Sequence, residues 1–373
     1  MADKAARAWG SPGRYIQGPG ELMRLAAHTE KYGKKVFAVI DAYFFEEYTD
    51  KLKRVYEEAG GALESYRYHT EITKERIEEA LSKAHESGAE AIVGIGGGKA
   101  IDTAKCVAAD LQAPLIIIPT SASTDAPTSA MAIIYNDRHE HEDVCYFFKN
   151  PDMVLVDSQI IANAPVRFLV SGMGDALATA YEARATIATD SSNYICQESG
   201  SYRRTRTAEV IAEACLKTIM ENGRMAKLSN EQHIVTEELE AVIEANTLMS
   251  GLGFENVGCA AAHCICNGLS AVSGGDKALH GEKVAFGVIC QLIAEHAPSE
   301  DVEEVIRFNQ SIGLPVTLED MGIEATDENY IKIAGDPGQT EWQREPFYTD
   351  VEIVANIVKN ADKMGKMYKK SIQ

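Results

Sequence analysis

Short, unbroken apolar runs alternate with amphipathic stretches over the first 160 residues. Lys35-Val-Phe-Ala-Val-Ile40 is the first run, continuous and rich in β-formers, as a strand covered on both faces should be. Asp41 follows it directly. Helical spacing over 43–59 stops at Gly60-Gly61, and a weaker strand follows at 63–68. Between residues 73 and 88, Ile77, Ala80, Leu81 and Ala84 fall three and four apart, and Gly88 ends the helix. A strand at 89–95 runs into Gly96-Gly97-Gly98-Lys99. The next helix carries Ile101, Ala104, Val107 and Ala108 on one face. Pro114-Leu-Ile-Ile-Ile-Pro119 is another buried strand. Residues 131–135, a polar turn Asn136-Asp137-Arg138 and residues 144–148 predict a β-hairpin ahead of a strand at 153–156.

The β-α-β-α-β-α-β order predicts an α/β N-terminal domain, Rossmann-like, with a parallel sheet and helices on both faces. After about residue 165 strand patterns stop. Helical spacing runs through 166–190, 205–229, 234–252, 258–270, 281–297, 299–312 and 350–371. The expected division is 1–162, α/β, and 163–373, all-α. No Gly/Ser linker separates the halves, so a cleft between them is expected. There is no internal repeat.

Composition narrows the function classes. Apolar residues are 45% and charged residues 25%, which suits a packed globular chain rather than a disordered one. A net charge of −20 is the opposite of a nucleic-acid footprint and disfavours anionic membranes. No apolar run reaches transmembrane length and the N-terminus has no signal-peptide core, so a cytoplasmic protein is expected. Eight cysteines without a C-x-x-C pair read as reduced, mostly buried thiols.

Three consecutive glycines at a strand-to-helix junction suit a tight turn or a pyrophosphate loop, where bare backbone N–H groups meet a helix N-terminus. The strand, loop and helix occur in the order a phosphate loop needs. Asp41 ends its strand on the edge where open α/β sheets bind ligands. It could cap the next helix, or accept two ribose hydroxyls and repel a 2′-phosphate, which favours NAD over NADP. The loop Pro119-Thr-Ser-Ala-Ser-Thr-Asp-Ala-Pro-Thr-Ser129 carries six hydroxyls and one carboxylate, Asp125, which could hold a hydroxylated substrate. In the helical half, Asp175, His263 and His280 lie in three separate short motifs. Two histidines, one carboxylate and an open position would satisfy catalytic zinc, but spacing alone does not assemble them.

Together, GIGGGKAIDTAK (94–105), PTSASTDAPTSA (119–130), GMGDALAT (172–179), EANTLMSGLGFE (244–255), AAAH…NGL (260–269) and HGEKVAFG (280–287) resemble the bacterial glycerol dehydrogenases. These belong to the iron-containing alcohol dehydrogenase-like superfamily. The likeness runs in order from about residue 12 to 365. It implies a dehydroquinate synthase-like architecture, an NAD-binding domain followed by a helical metal domain, and a homo-oligomer. Zn2+ would be held by Asp175, His263 and His280. Gly97, Gly98, Lys99 and Asp102 would match the pyrophosphate loop and its helix, and Asp41 the ribose-binding acid. Thr120, Ser123, Ser129, Met131 and Tyr135 would match residues near the cofactor, and Asp125 the carboxylate that contacts glycerol. The catalytic set is then Asp125, Asp175, His263 and His280, and Asp125 is also a candidate base.

Several departures from the family pattern stand out. Iron-dependent relatives carry a further histidine where this chain has Thr179, which favours zinc. Ala180-Tyr181 replaces the usual aromatic start, and a larger substrate pocket is expected from Ala180. Asn256, Val257, Cys266 and Trp342 depart as well. The implied reaction is reversible, NAD-dependent oxidation of glycerol to dihydroxyacetone, or of a related vicinal diol to its hydroxyketone. Superfamily enzymes acting on glycerol phosphate or forming dehydroquinate need cationic residues around an anionic substrate. No basic cluster flanks the three ligand motifs, and Arg203, Arg204 and Arg206 read as a solvated helix start. A non-catalytic NAD-binding protein would have no need for the complete ligand set.

Overall fold

The structure, a computed structural model, describes residues 6–69, 71–135, 141–335 and 341–370. Eight strands are present among the described residues: β1 (Tyr15–Gly18), β2 (Lys35–Asp41), β3 (Ala62–Tyr68), β4 (Ala91–Gly96), β5 (Leu115–Pro119), β6 (Met131–Tyr135), β7 (His141–Tyr146) and β8 (Met153–Asp157). Helices in the first half are α1 (Leu25–Thr29), α2 (Ala42–Glu58), α3 (Lys74–Ser87), α4 (Gly98–Leu111) and α5 (Ser158–Asn163). The rest of the chain supplies α6 (Val166–Ala188), α7 (Arg206–Glu231), α8 (Glu237–Glu244), α9 (Ser250–Val257) and α10 (Ala261–Ser270). It ends with α11 (His280–Ala294), α12 (Ser299–Ile312), α13 (Asp327–Ala334) and α14 (Val351–Lys370). No helix among the described residues is long and apolar enough to cross a membrane. All eight cysteines are free.

Six strands form one sheet in the order β1-β8-β5-β4-β2-β3, every neighbour parallel. From β2 the chain turns outward to β3, then returns past β2 to β4 and continues the other way through β5 to β8. The order therefore reverses between β2 and β4, and a ligand crevice forms at the carboxyl ends of strands at such a point. Val36, Ala38, Ile40, Val93, Ile95, Ile116, Ile118 and Leu155 fill the core with Leu25, Leu52 and Tyr56. β6 and β7 form the expected antiparallel hairpin. Its turn at 136–138 lies outside the described residues.

The described residues fall into two compact units, and the division differs from a single cut at 162/163. One unit takes Gly10–Pro165 and also Ser229–Gly251. Polar contacts explain the second segment: Asn230 Nδ2 donates to Ile161 O at 2.9 Å, Ser158 Oγ to Glu240 Oε1 at 2.6 Å, and Asn246 Nδ2 to Ala122 O at 2.9 Å. The other unit takes Val166–Leu228 and everything from Leu252 onward, with the strand-like contact of Arg7 beside Arg203. In this unit Ile265, Phe286, Ile289, Val305 and Val358 are fully buried in one core. The single helix expected over 234–252 is broken by a π-helical turn at Ala245–Met249. Of the arginine run, Arg206 is the exposed first residue of α7, as a solvated helix start should be, but Arg203 and Arg204 are held in ion pairs. Arg204 pairs with Glu209 at 2.9 Å and Asp190 at 3.3 Å, and Arg203 also pairs with Asp190.

Candidate active site

Asp175, His263 and His280 come from three helices of one unit. Asp175 lies midway along α6, His263 in the first turn of α10, and His280 opens α11. Glycines bring α6 and α11 together. A Cβ added to Gly281 would sit 1.8 Å from Ser171 O, and one added to Gly174 would sit 2.3 Å from Gly281 O. The backbones therefore touch one residue away from Asp175 and from His280.

The Asp175 side chain is 1% exposed. His280 Nε2 stands 3.2 Å and His263 Nε2 3.6 Å from its Oδ1. Even so, neither Asp175 oxygen makes a hydrogen bond of acceptable geometry among the described residues. A buried carboxylate with two unsatisfied oxygens is costly unless a cation joins it. One donor atom from each of the three residues lies within 4.8 Å of the others. Donors bound at about 2.0–2.2 Å in a tetrahedron lie about 3.3–3.6 Å apart, and the two measured separations, 3.2 and 3.6 Å, agree with that spacing. The residues fit a divalent ion with open coordination positions.

Each ring nitrogen facing away from Asp175 has a partner. His263 Nδ1 lies 2.7 Å from Glu182 Oε2, and His280 Nδ1 lies 3.5 Å from Cys266 Sγ. Burial pushes the Asp175 carboxyl up, but the two imidazoles outweigh it and hold it below the usual carboxylate range. Burial pulls His280 down, yet Cys266 and Asp175 raise it to about 10. His263 is also raised, by Cys259 and Glu182 against burial. Metal ligation needs neutral imidazole. Zinc added to the metal-free protein at pH 7 should therefore release protons, and its apparent affinity should climb as pH rises toward 10. A weakly buffered titration with a pH indicator reads this. Uptake without acidification would contradict the raised histidines.

The expected cofactor residues divide into two groups. Asp41, Gly97, Gly98 and Thr120 lie along the carboxyl edge beside the β2/β4 reversal. Gly96, at φ 152°, lets the end of β4 pass Asp41, since a Cβ there would be 2.8 Å from Asp41 Cβ. Added Cβ atoms on Gly97 and Gly98 would meet nothing within 4 Å, so the start of α4 is open. Thr120 N donates to Gly96 O at 3.1 Å. Asp41 caps α2, accepting from Tyr43 N on Oδ1 at 2.9 Å. Lys99 reaches Glu71, and Ser123 Oγ lies 3.1 Å from Ser121 Oγ.

Asp102 and Ser129 point into the protein. Asp102 Oδ2 accepts from Ile133 N at 3.1 Å, and Oδ1 lies 3.2 Å from Lys105 Nζ. Lys105 Nζ also donates to Ala126 O and Met131 O at 2.7 Å and to Ser129 Oγ at 3.1 Å. This buried lysine, which the sequence patterns did not mark, ties the hydroxyl-rich loop to α4. Met131 and Tyr135 bound β6, and the Tyr135 side chain lies outside the described residues. Asp125 Oδ2 accepts from Ser250 Oγ at 2.7 Å. Ala180 is fully buried, so it borders no open pocket and the expected pocket enlargement there does not follow. Asn256 and Val257 are buried as well, with Asn256 Nδ2 bonded to Leu252 O inside the helix.

The model of the iron-containing alcohol dehydrogenase family matches residues 12–158. A glycerol dehydrogenase from Thermotoga maritima is 42% identical over 371 residues, spanning 96% of this chain and 97% of its own. A glycolaldehyde reductase from Halobacterium salinarum is 38% identical over 359 residues, spanning 95% of this chain and 97% of its own. The crystal structure of a probable glycerol dehydrogenase from Sinorhizobium meliloti superposes with a TM-score of 0.90 at 38% identity. That match covers 97% of this chain and 99% of the other.

Proposed function

This chain belongs to the iron-containing alcohol dehydrogenase family, and from that premise we propose that it is an NAD- and zinc-dependent oxidoreductase acting on the CH–OH group of glycerol or a related vicinal diol. Glycerol would yield dihydroxyacetone. The observation that carries the reading is the buried Asp175 carboxylate, its oxygens unsatisfied, facing Nε2 of His263 and of His280. Relatives named for glycerol and for glycolaldehyde support a small substrate with neighbouring oxygens.

When bound, the ion supplies Lewis acidity toward a substrate hydroxyl, and NAD supplies the hydride acceptor. Asp175, His263 and His280 would hold the ion. Zinc rather than iron is supported by Thr179, one turn after Asp175, where a third histidine would otherwise extend the set to four ligands. Asp41 would take the adenosine ribose on Oδ2, since Oδ1 is occupied by the helix cap. Its charge would repel a 2′-phosphate. Gly97 and Gly98 would present bare N–H groups to the pyrophosphate, with Lys99 beside it. Thr120, Ser123 and Met131 would line the cofactor. Asp102 and Ser129 would act through Lys105, holding the loop that carries the others. Asp125 would accept a substrate hydroxyl, because a carboxylate already bonded to Ser250 keeps further lone pairs.

The test is kcat/KM for glycerol, 1,2-propanediol, 2,3-butanediol and 2-propanol, followed by NADH absorbance, with NADP as a parallel cofactor. The diols should exceed 2-propanol by roughly 10–100-fold, the value of one hydrogen bond to a charged group. Equal rates for 2-propanol would remove diol recognition. Full activity after chelation and dialysis would remove the metal.

A further inference from the structure

Glu182 lies seven residues, about two turns, beyond Asp175 on the same side of α6. Its side chain is 1% exposed. Oε1 accepts the backbone N–H of Ala260 at 2.8 Å and that of His263 at 2.9 Å. Oε2 faces His263 Nδ1 at 2.7 Å. These contacts do two separate jobs. The backbone bonds satisfy N–H groups at the start of α10 that have no partner within the helix. The ring contact sets the hydrogen position, because a carboxylate only accepts and Nδ1 must then donate. Nε2 is left as the nitrogen that can offer a lone pair, and it is the one 3.6 Å from Asp175 Oδ1.

We infer that Glu182 is a positioning residue for the metal: it holds His263 in the Nδ1–H tautomer and aims Nε2 at the ion. This rests on the reading of Asp175, His263 and His280 as ligands. A competing arrangement uses the same atoms differently, since Glu182, Cys259 and His263 also offer donors within 4.8 Å of one another. The 2.7 Å separation of Oε2 and Nδ1 is a hydrogen bond and is shorter than the spacing of two donors on one tetrahedral ion. Glu182 is therefore placed behind the ligand, not on the metal.

Glutamine at this position separates the two jobs. It keeps the length of the side chain but has one oxygen and one NH2. The two backbone N–H groups demand the oxygen, so the NH2 must face Nδ1. Nδ1 then accepts, the ring hydrogen moves to Nε2, and the metal-binding lone pair is lost. The same exchange of tautomer disables a catalytic histidine when its aspartate partner becomes asparagine.

The experiment measures zinc affinity of the full-length protein by competition with a chromophoric chelator, for wild type, Glu182→Gln and Glu182→Asp. Thermal unfolding of the metal-free forms and cobalt(II) absorption spectra accompany it. Glu182→Gln should bind zinc 10–100-fold more weakly, the usual effect of losing such a partner. Glu182→Asp keeps the accepting charge and should stay within about tenfold of wild type. A residue needed only for size and packing would give the reverse order, glutamine better than aspartate. That order, or wild-type affinity in Glu182→Gln, overturns the inference. If Glu182→Gln does not fold, Glu182→Asp decides: affinity within about tenfold supports the role, and a greater loss overturns it. An intense thiolate-to-cobalt charge-transfer band that Cys259→Ala removes would place the ion at Cys259 and also overturn it. Wild type that takes up no zinc would instead overturn the ligand reading itself.

Discussion

Asp175→Asn should leave a folded protein that holds no zinc and is nearly inactive. The side chain changes little in shape, so α6 and α11 keep their contact. The site nevertheless loses the carboxylate of its three proposed ligands, and an amide is a poor substitute as a ligand. The Lewis acid contributes several kcal/mol to the chemical step. With each 1.36 kcal/mol worth a factor of ten, kcat should fall by about three orders of magnitude or more. Two measurements check this: NADH formation from glycerol, and zinc per chain by elemental analysis. A third uses heat. A ligand present at 100 times its Kd stabilises the folded state by about 2.7 kcal/mol, so zinc should raise the melting temperature of wild type and leave that of Asp175→Asn unmoved. A variant that keeps stoichiometric zinc, or a tenth of the wild-type rate, would show that Asp175 is not a ligand.

How far this site could be read from the chain depends on the range of the forces that build it. β2, β4 and β5 were legible because both faces of each are covered, which leaves continuous apolar runs. β1 was not: it is four half-buried residues whose partner β8 lies far along the chain, Tyr15 beside Val154. The π-helical turn at Ala245–Met249 was hidden because it keeps the apolar helical character of its neighbours. Asp175, His263 and His280 could be picked by residue type, but nothing local says that three helices converge on them. Glu182 carries a cue of its own. An acid inside the apolar run Ala-Thr-Ala-Tyr-Glu182-Ala is almost never fully buried without a partner. The cue in Gly174 and Gly281 was equally physical, since each small residue marks a place where another backbone must come close.

Gly281→Ala tests whether that close approach sets the metal geometry. The added methyl would lie 1.8 Å from Ser171 O, 2.6 Å from Ser171 C and 3.0 Å from Asp175 N, all backbone atoms that no rotamer change can clear. Ordinary contact begins near 3.4 Å, so α11 must shift by more than an ångström relative to α6. Overpacking of this kind costs about 1–3 kcal/mol. For a domain of this size that lowers the melting temperature by roughly 2–10 °C. The effect on the site should be larger than the effect on the fold, because His280 is the neighbouring residue and travels with α11. A misplacement of about 1 Å at a reacting centre costs about 100-fold. Zinc affinity and kcat should therefore both drop by about that factor in a protein that still folds. Gly18→Ala is the matched comparison: its new methyl meets only Glu21 Cγ at 3.8 Å, and affinity should stay at the wild-type value. If Gly281→Ala binds zinc as wild type does, the helices are not held at their spacing by this contact, and the positions of Asp175 and His280 must be fixed by the rest of the helical core.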